Sequence, residues 1–198
     1  MEFLQRSLPL HIWQALDELP ESLDGTYEHM LQDINKANSE FVHQIFQCVA
    51  VASCPLCVKE LAEVLAFDFK AGATPTFCPG WWPVDPLDAL LSTCSSLLVV
   101  VKVKGLQVIQ FSHFSVKEFL TSTCLTEARD PIPCYYVSMA LAHTLVAQAC
   151  LGILLHLDEN ITNSSLKDFY LAKYAAEHWV DHGRFEMVSA KVEDGMKC

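Results

Sequence analysis

From residue 39 onward the apolar positions of this chain recur every three or four residues. Phe41, Val42, Ile45, Phe46, Val49 and Ala50 form a wide apolar face that predicts a helix over 39–53, closed by Pro55. Val58, Leu61, Ala62 and Leu65 repeat the i, i+3, i+4, i+7 spacing, and Leu87, Leu90, Leu91 and Cys94 repeat it again after Asp85-Pro86. Upstream, residues 9–19 predict a short helix stopped by Pro20. Leu23, Tyr27, Met30, Leu31 and Ile34 place another over 22–35. The stretch 68–84, rich in Pro, Gly and Trp, reads as a loop.

At residue 97 the pattern changes. Residues 97–103 are apolar and β-branched, Lys104-Gly105 offers a two-residue turn, and 106–111 reads as a second strand. Three helices followed by a hairpin is the order of a winged helix, a helix-turn-helix variant. A helix over 115–121 follows, then a link through Pro131 and Pro133 and a long apolar helix over about 136–155. A last helix over about 166–181 carries Phe169, Ala172, Ala176, Trp179 and Val180 on one face and ends at Gly183. The predicted fold is mainly α: a winged helix (three helices plus a β-hairpin wing) followed by a small helical bundle. Its predicted divisions are 1–36, 37–125 and 126–198. No internal repeat or low-complexity segment is evident.

The junction after the hairpin holds the sharpest local signal. Ser115 and Glu118 have the S-x-x-E spacing of a capping box, and Phe114 and Phe119 the spacing of a hydrophobic staple. His113 then sits in a stiff corner. Two readings of it stay open from pattern alone: packed at the strand-helix corner, or aimed outward.

Composition narrows the class. The 198 residues are 52% hydrophobic and carry a net charge of -11, with a pI near 5.0 and a mean hydropathy of +0.24. Such hydropathy implies buried helices, partner-facing surfaces or a membrane segment. Residues 135–157 are uncharged and long enough to cross a bilayer, but Ser138, His143, Thr144, Gln148 and His156 interrupt them, so a buried helix is the preferred reading. The acidic balance repels polyanions. The third helix of the predicted winged helix, 85–96, has two aspartates and no Lys or Arg, and the wing adds only Lys102 and Lys104, so DNA readout is the disfavoured alternative. Nine scattered cysteines read as reduced residues of an intracellular chain, and the N-terminus lacks the features of a signal peptide.

Catalytic and metal-binding signatures are weak. Cys54-Pro55-Leu56-Cys57 has C-x-x-C spacing without a second pair, and His178 and His182 stand one turn apart without the glutamate of HExxH, so no metal site is expected. Two sequons, at Asn160 and Asn163, matter only in a secretory context. No triad spacing and no Gly-rich phosphate loop is present, so the chain is expected not to be an enzyme.

Five blocks, LPESLDGTYEHMLQDI, FQCVAVASCPLCVKELAEVLAFDF, WWPVDPLDALLSTCSSLLVVV, IQFSHFSVKEFL and KYAAEHWVDH, stand in this order. Together they resemble the region after the NTPase core of fungal NACHT proteins, signal-transducing NTPases of the NOD-like receptor type that commonly continue into ankyrin repeats. The resemblance covers about residues 8–196. It implies that 1–36 is a helical connector from an NTPase core, 37–125 the winged-helix domain and 126–198 a segment leading to repeats. Neither core nor repeats occur in this chain, which implies a fragment, truncated product or degenerate paralogue. Phe111, His113, Ser115, Glu118 and Phe119 resemble the motif whose histidine meets the ADP β-phosphate in the closed state, so His113 is the implied nucleotide contact. Further implications are ADP or ATP held through a NACHT core, intramolecular contact with that core and with ankyrin repeats, homo-oligomerisation on activation, and cytoplasmic localisation without nucleic-acid or membrane binding.

Overall fold

In this computed structural model the described residues are 22–70, 75–94, 96–157, 168–185 and 188. The helix expected over 9–19, the two sequons and most of the tail after Met187 lie outside them. Helix α1 is Leu23–Gln32, α2 Ser39–Val51, α3 Val58–Val64 and α4 Pro86–Cys94. The hairpin strands β3 (Leu98–Val103) and β4 (Leu106–Phe111) follow, then α5 (Phe114–Thr121), α6 (Met139–His156) and α7 (Leu171–Gly183).

The wing forms as its sequence requires. Val103 pairs with Leu106, and Lys104 and Gly105 take φ of 50° and 85° between them, the two positive values of a type I′ turn. Gly105 adopts its value without steric cost. Leu98 pairs with Phe111 at the far end, where Leu98 and Ile109 face inward. A third strand position closes the other edge: Cys57 bridges to Val108, and the Ile109 N–H donates to the Leu56 carbonyl at 3.0 Å. Together with α2, α3 and α4 this is the winged helix that the pattern predicted.

The loop between α3 and α4 holds a small hairpin that the sequence did not signal, β1 (Phe67–Asp68) against β2 (Thr76–Phe77). Strands of two residues are too short to show any periodicity. Phe67 anchors the hairpin, buried beside Phe77 at 5.1 Å between ring centroids.

One apolar core runs from Tyr27 and Leu31 of α1 to Tyr174 and Ala175 of α7. Phe46 of α2 is fully buried between Phe111 of the wing and Tyr135 of the link, at 6.2 Å from each ring. Burying a side chain of this size is worth about 1.5–3 kcal/mol. Helix α6 packs against both α2 and α7. It is long and apolar enough to cross a membrane, yet Ala142, Val146, Ala149, Cys150 and Ile153 are buried within the protein. Apolar residues all round a helix are what two flanking helices demand.

Candidate functional site

The corner between β4 and α5 differs from its predicted form. Helix α5 begins at Phe114, and its N-cap is His113, extended at φ -150° and ψ 151°. The His113 ring itself accepts the Ser115 N–H, at 3.3 Å to Nδ1, and the His113 carbonyl accepts the Val116 N–H at 3.1 Å. The capping box expected of Ser115 and Glu118 is therefore corrected. Ser115 lies inside the first turn, its hydroxyl engaged elsewhere, and Glu118 is exposed. The staple of Phe114 on Phe119 is corrected too: Phe119 is buried, but Phe114 is 69% exposed and lies 4.2 Å from the His113 ring. A histidine with an acceptor nitrogen moved the cap two residues upstream, which carries Phe114 onto the helix and away from the staple position.

The same contacts fix the imidazole. Ser115 Oγ lies 2.6 Å from His113 Nδ1 and 2.7 Å from the Tyr27 hydroxyl. With Nδ1 accepting the Ser115 amide, Ser115 O–H donates to Nδ1 and Tyr27 O–H donates to Ser115. The neutral ring then carries its proton on Nε2. Because His113 is exposed, the corner presents an N–H donor on a braced ring. Tyr27 is in turn held by Phe119, 5.3 Å between centroids. Of the residues predicted for this site, His113, Ser115 and Phe119 act together, Phe114 flanks them and Glu118 stands apart. Tyr27 was missed as a member; its presence in the second-helix block was the one available signal.

The capping box that does form is at Cys57 and Glu60. The Glu60 N–H donates to Cys57 Sγ at 3.4 Å, and the Cys57 N–H donates to Glu60 Oε2 at 2.7 Å. Burial pushes the Cys57 thiol up to about 11 and also raises that of Cys54, the opposite of a redox-active pair.

His178 and His182 part company. His178 lies 3.3 Å from Asp181 and 3.6 Å from the Cys54 sulfur near the surface. His182 is fully buried, 2.9 Å from the Tyr174 hydroxyl and 3.0 Å from His143 Nδ1. The Ser53 N–H donates to the Tyr174 hydroxyl oxygen at 3.1 Å, and hydrogen bonds between Tyr174 and His182 and between His182 and His143 continue the chain. One of the two facing Nδ1 atoms must accept, so the two imidazoles are never both protonated in this contact. Burial holds His182 down at about 4 and lowers His143 as well. Among the described residues no three His, Cys, Asp or Glu side chains are grouped to hold a metal ion.

On the face where a winged helix would meet DNA, Asp85 Oδ1 caps α4 by accepting the Leu87 and Asp88 amides, each at 3.0 Å. Carboxylates therefore mark that helix start, while Lys102 and Lys104 are exposed on the wing.

Hairpin, helices and capped corner define a winged-helix protein. The chain belongs to the family described as GPI inositol-deacylase, winged helix domain, which it matches over residues 27–129. That span contains both Tyr27 and His113. The chain is also similar to the azaphilone pigments biosynthesis cluster protein L of Monascus ruber, 29% identical over 174 residues, 84% of this chain and 36% of that protein. It thus spans about a third of that relative's length. No solved structure matches.

Proposed function

We propose that this chain is the non-catalytic regulatory module of a NACHT-type NTPase, closing over ADP held by a neighbouring core. In that arrangement His113 Nε2–H donates to the diphosphate. Release of ADP frees the module for homo-oligomeric contacts, with ankyrin repeats as a further partner and the cytoplasm as the compartment. The single observation that carries this reading is the corner itself: an exposed imidazole whose inner nitrogen is tied down by Ser115 and, through it, by Tyr27. A donor held in advance costs little to order when an anion arrives.

The chain supplies no phosphate cradle of its own, so nucleotide and partner must come together. The test mixes purified chain with a NACHT core loaded with ADP. Complex formation that depends on ADP and weakens about tenfold in His113→Ala supports the lid, that loss being the scale of one hydrogen bond to a charged group. ATP turnover by the chain alone that vanishes in the same variant would falsify it.

A further inference from the structure

Between the segment 75–85 and the start of α7 lies a cavity of about 310 Å³. Among the described residues, the aromatic rings of Phe77, Trp82, Phe169 and Tyr170 line it, together with the His156 imidazole, which packs on Phe77 and Phe169. Trp82 and Tyr170 pair at 5.7 Å between centroids, and Phe77 and Phe169 at 6.3 Å. Tyr170 already takes a cation on its ring, since Lys59 Nζ lies 4.5 Å from the centroid.

Two carboxylates share this cavity with the rings. Glu63 of α3 is buried, and its Oε2 accepts the Leu171 N–H, which holds the carboxyl group in place at the entry of α7. Asp168 is exposed on the segment leading into that helix. Among the described residues no Lys, Arg or His forms an ion pair with Glu63.

We propose that this cavity binds a small alkylammonium group, its methyl groups against the faces of Trp82, Tyr170, Phe77 and Phe169 and its charge answered by Glu63 and Asp168. The chemistry selects this class from both sides. Ring faces carry negative potential and attract a weakly hydrated cation, most strongly over Trp. A neutral apolar occupant would use the rings but draw nothing from the Glu63 and Asp168 carboxyl groups. A cavity of this size suits a quaternary ammonium head and is too small for a folded peptide.

The pH behaviour follows from the same groups. Burial raises Glu63 to about 7, with Glu60 on its own helix adding to the rise. Facing it are His156 from α6 and Asp168, while Lys59 sits across Tyr170. Glu63 gains its charge as pH rises through neutrality, so a cation binds more tightly at pH above about 7 than below it.

The experiment is calorimetric titration of the purified chain with choline and with its neutral isostere, in which carbon replaces nitrogen. Choline is expected to bind about tenfold more tightly than the isostere. Trp82→Ala should lose most of that affinity, Trp82→Phe should recover part of it, and Glu63→Gln, which keeps an acceptor for Leu171, should reduce the pH dependence. A peptide carrying trimethyllysine is titrated alongside: whichever binds more tightly assigns the head group to a modified side chain or to a free small molecule. Equal affinity for the isostere, choline binding unchanged in Trp82→Ala, or no binding of either cation at millimolar concentration overturns the proposal.

Discussion

Tyr27 and Ser115 stand 88 positions apart in the chain, and their hydroxyl oxygens lie 2.7 Å apart in space. This bond ties α1 to the first turn of α5 and orders the residues around His113. Tyr27→Phe keeps the ring on Phe119 and removes only the hydroxyl. The variant should lose about 1 kcal/mol of stability in a urea titration, the ordinary net worth of one hydrogen bond. An unchanged midpoint would show that water replaces Ser115 without loss.

In acid, His182 should weaken the fold. Its folded value, about 4, lies below the 6.5 of the free side chain, so the unfolded chain takes up the proton first and stability falls as pH drops from 6.5 toward 4. Glu63 works against this in an overlapping window. Its folded value, about 7, lies above the ordinary 4.5, and its contribution is lost as pH rises through that value. Wild type should therefore show a flattened profile. Glu63→Gln should expose the histidine slope, and His182→Gln the opposite one, by denaturation midpoints at pH 4.5, 5.5 and 6.5. Parallel profiles in all three proteins would refute the assignment.

Gly152 of α6 faces the Phe67 ring so closely that an added Cβ would sit 2.6 Å from Cε1. Phe67 is buried and packed on Phe69 and Phe77, so the ring has little room to yield. Gly152→Ala gains about 1 kcal/mol of helix propensity but should still be net destabilising, because overpacking costs about 1–3 kcal/mol. A lower melting temperature checks it; a higher one would mean the β1–β2 hairpin moves freely.

Cys57 caps α3 with a weak acceptor. Cys57→Ser places a better one at the same N-cap and should raise stability by about 0.5–1 kcal/mol, whereas Cys57→Ala should lower it by a similar amount. Thermal melts of the two variants should move in opposite directions.

The sequence resolved what repeats along the chain. The apolar spacing of α2, α3 and α4 and the Lys104-Gly105 turn predicted the winged helix, and residues 106–111 match β4 without change. Local chemistry with two competing solutions was harder. At the wing's exit both His113 and Ser115 could cap, and the histidine wins because its ring reaches the Ser115 amide while Tyr27 claims the serine hydroxyl. That competition depends on a residue in another helix, which no local motif reports. At Cys57 the sulfur's partner is Glu60, three residues on, a capping box that cysteine in place of Ser or Thr conceals. The partner that buried His182 finds in His143 likewise lies 39 positions away, beyond any local motif.

Because Phe46 is wedged between Phe111 and Tyr135, the wing and the C-terminal helices share one hydrophobic interior among the described residues. A push on His113 would therefore load packing that continues as far as α7, as on a lever, rather than turn a free hinge.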